Sequence, residues 1–161
     1  MLKRLIAVIF AAVLAGPALA AGGDVELKNR DWSFNGPFGT FDKAAMQRGL
    51  QVYREVCAGC HSMKLIAFRN FADLGYNENE IKALAAQYDV QDGPNDDGEM
   101  FTRPGIAADR IPAPYANDNA ARAGNNGALP PDLSLIAKAR PNGPDYLYSL
   151  LTGYQDTPAG T

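Results

Sequence analysis

Histidine occurs once in the 161 residues, at His61, and cysteine twice, at Cys57 and Cys60. No site that draws two histidines from this chain is possible, nor any framework of several disulfides. Positive charge is in the minority: 15 Lys and Arg face 18 Asp and Glu, a formal charge of −3. No nucleic acid is expected as a partner, because its phosphates call for a basic surface. A basic protein is the better electrostatic match. Beyond the first twenty residues there is no apolar run near the ~20 residues that a bilayer-spanning helix needs. Internal repeats are absent, and no segment shows convincing strand alternation.

What is present begins with a short basic head, Lys3 and Arg4, followed by the apolar run Leu5–Ala15. Gly16 and Pro17 break it, and Ala18-Leu19-Ala20 supplies small residues before a cleavage point. This is the layout of a secretory signal peptide rather than a membrane anchor, for which the run is too short. Residues 1–20 are expected to be removed near Ala20, leaving residues 21–161 as one domain. Losing Lys3 and Arg4, and no acid, takes the charge from −3 to −5.

Gly22 to Thr40 reads as an extended polar arm. From Asp42 the spacing of Met46, Leu50 and Tyr53 predicts a helix. Gly49 lies inside it at a cost of about 1 kcal/mol relative to Ala, which either a close helix–helix contact or mere tolerance explains. Asn77-Glu78-Asn79-Glu80 carries a capping-box pattern, and Ile81, Leu84, Ala85 and Tyr88 line one face after it. Asp89 to Leu129 is rich in Asp, Asn, Gly and Pro and reads as one long loop, of the kind that is usually functional or disordered. Short helices resume at Asp132, read as an N-cap, and end before Pro141. Another runs from about Pro144-Asp145 to Gly153. The expected fold is mainly α: short helices and long loops. That is too little apolar material to pack well unless a large apolar group fills the centre.

Cys57-Ala58-Gly59-Cys60-His61 is a C-x-x-C-H signature of c-type haem attachment. Two thiols add to the two vinyl groups of the porphyrin, and the next residue swings beneath the ring to bind iron through its imidazole. Small residues at Ala58 and Gly59 let the backbone follow the haem edge. The rivals are weaker. A thioredoxin-type pair needs a βαβ setting. A zinc site needs a fourth ligand, which here would be a carboxylate. A disulfide between residues three apart closes a strained ring. With one histidine, the sixth iron ligand is a methionine, another atom, water or nothing. Of the methionines, Met1 leaves with the signal peptide, Met63 is on the proximal side and Met46 belongs to the apolar face of a helix. Met100, in the long loop, is a conceivable surrogate.

Around this motif the chain resembles the cytochrome c1 family, the haem c subunit of the quinol–cytochrome c reductase (cytochrome bc1) complex. The resemblance runs through Arg48–Met63, Thr102–Gly105, Pro114–Asn117 and Ala120–Ser134, and closes with Asp145-Tyr146 and Ser149–Tyr154. Its most specific block is Asn125-Asn126-Gly127-Ala128-Leu129-Pro130-Pro131-Asp132-Leu133-Ser134. The resemblance implies a cytochrome c-like fold around one covalently bound haem c. Cys57 and Cys60 then match the thioether cysteines and His61 the proximal ligand. Asn125, Ala128, Pro130 and Pro131 match haem-lining positions on the long loop. Ile136, Arg140, Tyr146, Leu150 and Leu151 match helical residues that close the pocket. Arg140 suits a haem propionate, against the alternative of a helix-terminal Arg held by the dipole. A proline carbonyl near Pro130 would accept the His61 ring N–H.

The same resemblance implies an electron carrier, not an enzyme as an isolated chain. It would accept electrons from the Rieske iron–sulfur protein beside cytochrome b and pass them to a soluble or membrane-tethered cytochrome c. It implies export to the periplasmic face of a bacterial inner membrane. A methionine ligand and a C-terminal transmembrane helix would follow Thr161, so the domain is expected to be incomplete at its C-terminus. A free periplasmic mobile c-type cytochrome is the alternative; a peroxidase is disfavoured by the lack of a second histidine. Asp89, Asp92, Asp96, Asp97 and Glu99 form either a docking surface for a basic cytochrome c or a solvated loop.

Overall fold

A computed structural model describes residues 26–156. The proposed signal peptide, residues 1–20, lies outside the described residues. Helix α1, Lys43–Glu55, starts where Asp42 accepts the Ala45 N–H at 3.1 Å, satisfying one of the orphan donors of a helix start. Its inner stripe is Leu50 and Tyr53, both buried. A 3-10 turn, Cys57–Gly59, follows at once. A 3-10 helix, Phe68–Leu74, stops at Gly75, whose φ of 96° is one that glycine adopts without strain. Helix α2, Glu78–Ala85, has the expected capping box: the Glu80 N–H donates to Asn77 Oδ1 at 3.0 Å and the Asn77 N–H to Glu80 Oε2 at 2.7 Å.

These elements converge on one core of Leu50, Tyr53, Phe68, Phe71, Ile81, Ala85 and Ile111. Phe68 and Phe71 meet edge to face with centroids 5.9 Å apart, a favoured aromatic geometry. Burial, with help from Tyr88, Asp132 and Cys57, pushes the Tyr53 hydroxyl up to about 12. That hydroxyl donates to the His61 carbonyl at 3.1 Å, so the core reaches directly to the C-x-x-C-H segment.

The remaining elements contribute no residue to this core. Strands β1, Asp89–Asp92, and β2, Phe101–Pro104, form an antiparallel hairpin with Asp89 opposite Pro104 and Asp92 opposite Phe101. Helix α3 is Asp118–Gly124, capped by Asn117 accepting the Ala120 N–H at 2.9 Å. Helix α4, Ile136–Ala139, and helix α5, Gly143–Leu151, pack on each other. A Cβ on the buried Gly143 would collide with the Ala137 carbonyl, so only glycine permits this corner.

Mainly helical architecture is as expected, with two corrections. Residues 89–129 are not one loop without strands, since they hold the hairpin and α3. The hairpin is mostly exposed, so it has no buried face to impose alternation. Charge ties it instead: Arg103 forks to Asp92 and Asp109, and this lowers both carboxyls and raises the guanidinium. Asp132 is not an N-cap, because α4 begins at Ile136 after Leu135. Gly49 makes no close helix contact among the described residues, where a Cβ would meet nothing within 4 Å. Also among the described residues, no helix is long and apolar enough to cross a membrane.

Candidate functional site

Helix α1 delivers the C-x-x-C-H segment. The 3-10 turn places the Cys60 N–H on the Cys57 carbonyl at 3.1 Å, and the His61 N–H reaches the same carbonyl at 2.8 Å. Both thiols are free, Cys57 half-buried and Cys60 exposed. The His61 ring lies with Nδ1 2.8 Å from the Pro131 carbonyl oxygen. A carbonyl only accepts, so Nδ1 carries the proton and Nε2 keeps its lone pair as a metal ligand. The sequence argument placed such a carbonyl near Pro130; it is that of Pro131.

A latch around this bond joins residues 62–65 to residues 131–134. Asp132 Oδ2 accepts the Ser62 hydroxyl at 2.8 Å and the Lys64 N–H at 2.8 Å, and Oδ1 accepts the Ser134 N–H at 2.9 Å. The Leu65 N–H donates to Ser134 Oγ at 3.0 Å, and the Leu133 N–H to the Ser62 carbonyl at 2.8 Å. Partial burial works against ionisation of Asp132. The Lys64 N–H, the Ser134 hydroxyl and N–H and the Ser62 hydroxyl outweigh it and hold the carboxyl at about 2. Ser62 is buried. The site role of Ser62 and Asp132 was not legible in the sequence, where they are 70 residues apart.

The other candidate residues fall in two groups. Cys60, Pro130 and Pro131, with Leu129 and Tyr115, line a cleft of about 460 Å³. Asn125 braces the loop above it, its Nδ2 donating to the Tyr115 hydroxyl at 3.2 Å and to the Ala121 carbonyl at 2.7 Å. Ala128 is exposed on the same loop, and its N–H donates to the Asn125 carbonyl at 3.0 Å. Arg140, Tyr146 and Leu150 line a second cleft of about 690 Å³. The Arg140 guanidinium lies over the Tyr146 ring, 5.5 Å from its centroid, and meets no carboxylate among the described residues. Ile136, half-buried, starts α4, and Leu151 ends α5.

The donor set fits a haem. Two free thiols stand on one turn beside an imidazole whose outer nitrogen is committed. Pro130, Pro131 and Leu129 add apolar lining to the cleft beside Cys60, as a flat apolar ring would require. A metal site made of side chains alone finds no such support: among the described residues no three His, Cys, Asp or Glu gather to hold an ion.

The chain is similar to known proteins along most of its length. Residues 32–161 match the cytochrome C1 family. Cytochrome c1 of Rhodospirillum rubrum is 54% identical over 157 residues, covering 97% of this chain and 58% of that protein. The mitochondrial haem protein cytochrome c1 1 of Arabidopsis thaliana is 59% identical over 129 residues, 80% of this chain and 42% of the relative. The mitochondrial cytochrome b-c1 complex catalytic subunit of Candida albicans is 56% identical over 128 residues, 80% of this chain and 44% of the relative. The chain thus spans about half the length of the curated relatives it matches.

Proposed function

This chain belongs to the cytochrome c1 family, and we propose that it is a one-electron carrier whose redox group is a single haem c held by Cys57, Cys60 and His61. The observation that carries the reading is the pair of free thiols on the turn next to an imidazole held by the Pro131 carbonyl. Bound haem supplies the ferrous–ferric couple. The protein's own residues do the rest. Cys57 and Cys60 fix the ring by thioether bonds, and Pro131 fixes the His61 tautomer and strengthens it as a donor. Pro130, Ala128, Ile136, Leu150 and Leu151 exclude water from the faces of the ring, with Asn125 bracing the loop. Arg140, steadied on Tyr146, offers its fork to a propionate. A spectroelectrochemical titration of the full-length protein tests this: a reversible one-electron couple is expected, and no such couple would overturn it.

The partners follow from the family. A relative named as a subunit of the cytochrome b-c1 complex supports a place beside cytochrome b, with electrons arriving from the Rieske protein and leaving to a cytochrome c. The isolated chain is then a carrier, and the complex is the oxidoreductase. Residues 1–20 serve as the export signal and residues 21–161 as the haem-bearing domain, on the periplasmic face.

The acceptor is a basic cytochrome c that meets the hairpin. Asp92 drops out of the expected docking set because Arg103 holds it. Asp89, Asp96, Asp97 and Glu99 remain exposed at the strand start and the turn. Association is expected to slow as salt shortens the Debye length, about 10 Å at 0.1 M, and to slow again when these four are neutralised. A rate indifferent to both changes would rule the surface out.

None of the three methionines among the described residues stands out as a sixth ligand. Met63 packs against the core and Met46 is half-buried in α1, while Met100 is exposed beside Gly93 at the hairpin end. The 161-residue chain, loaded with haem, is expected to bind carbon monoxide when reduced and to lack a methionine–iron charge-transfer band. That band without carbon monoxide uptake would place the ligand at one of these three.

A further inference from the structure

Helix α5 is gripped by the N-terminal arm. The Lys28 N–H donates to Ser149 Oγ at 2.8 Å, and Lys28 Nζ donates to the Thr152 carbonyl at 2.9 Å and to Thr152 Oγ1 at 2.8 Å. A cation on the last carbonyl of a helix also suits its dipole. At the other end, Asp145 Oδ1 accepts the Trp32 Nε1–H at 2.7 Å and the Arg30 N–H at 3.2 Å. Between them the Trp32 ring meets Tyr148 edge-on at 6.0 Å, and the Arg30 guanidinium lies 5.2 Å from the Tyr148 centroid.

The two sides of α5 meet different neighbours, although Glu26, Leu27 and Lys28 of the arm also reach the cleft lined by Tyr146 and Leu150. At about 3.6 residues per turn, Asp145, Tyr148, Ser149 and Thr152 fall on one stripe, and that stripe meets the arm. The opposite side carries Tyr146, Leu147, Leu150 and Leu151, the face assigned above to closing the haem. Apart from the arm, the described element packed closely on α5 is the four-residue α4. A nine-residue helix so lightly held takes its position from whatever binds its outer face.

We infer that Asp145 is a positioning residue for electron transfer: by anchoring residues 28–32 across the outer face of α5, it sets how closely the inner face covers the haem. The inference rests on the haem reading above. The side-chain hydrogen bonds of Asp145 go to the arm, so its effect on the iron runs through the placement of α5. Releasing the arm lets α5 lift and water reach the ring. Water favours the more highly charged ferric state, so the potential falls.

The test uses full-length, haem-loaded protein and three variants. Asp145→Leu removes the acceptor at similar size. Asp145→Asn keeps an oxygen that can accept both donors. Trp32→Phe keeps an aromatic ring and loses the N–H, which guards against a failure of the first variant to fold. Trp32 is the only tryptophan, and bound haem is expected to quench its emission by energy transfer. In Asp145→Leu its emission is expected to rise several-fold, trypsin to cut after Lys28 and Arg30 far faster, and the midpoint potential to fall. Trp32→Phe is expected to show the cutting and the fall, and Asp145→Asn to stay close to the parent in all three. Arms that are cut freely while the potential stays at the parent value would overturn the inference, as would an unchanged arm in Asp145→Leu. Failure of the haem reading itself is told apart by the parent, which would then carry no haem.

Discussion

Replacing Cys57 and Cys60 together with Ala is expected to abolish covalent haem. Acid acetone would then strip any haem from the denatured protein, and a haem stain after electrophoresis would be blank, whereas the parent keeps its stain. Both thiols are free and stand on one turn at the end of α1, so neither is needed for a disulfide and both are available for vinyl addition. Either single replacement should leave one thioether and a weaker stain. Replacing His61 with Ala should retain the stain while removing the low-spin spectrum, because the thioether bonds do not depend on the imidazole. Haem extracted from the parent by acid acetone would defeat the whole assignment, and an undiminished stain in the double variant would place the attachment elsewhere.

The second large effect is expected at Asp132. Its two oxygens accept from Ser62, Lys64 and Ser134, and Asp132→Ala leaves the buried Ser62 hydroxyl and two N–H groups without their acceptor. The loss should be roughly 2 kcal/mol, on the order of 8 °C in melting temperature. Its pH dependence has a definite sign. The folded-state carboxyl sits at about 2, below the ordinary value of 3.8. The ionic part of its contribution is therefore present above about pH 4 and is lost as pH falls through about 2. That part is about 1–2 kcal/mol once solvent screening is allowed for. The gap in stability between the parent and Asp132→Ala should narrow over this acid range. A gap that stays constant over about three pH units below about pH 5 would show that the charge contributes nothing. Because Pro131 precedes Asp132 directly, the variant should also broaden the spectrum of the His61-ligated iron.

Much of the fold could be read locally. The Asp42 cap, the Leu50 and Tyr53 stripe and the Asn77–Glu80 capping box are patterns within one or two helical turns, and each is present. The hairpin escaped because its strands are short and exposed and are tied by Arg103 rather than by an apolar face. Helix α3 escaped because only Ala121 of its seven residues is buried. In Asp132 a residue type suited to capping was used instead as an acceptor for a distant segment.

Sequence alone was enough to propose the chemistry of this protein: two thiols and an imidazole at fixed spacing, with a single histidine that allows only one imidazole ligand from this chain. Such a motif works through neighbouring residues on one turn, so its meaning survives without a fold. The tertiary structure decided how that chemistry is held. The carbonyl of Pro131 rather than of Pro130 accepts the His61 ring N–H, Asp132 latches the loop to the motif, and the arm at Lys28–Trp32 spans α5. These contacts join residues 70 to 124 positions apart. A single hydrogen bond between distant polar atoms imposes no periodicity on either segment, so only the folded chain brings its two ends into view.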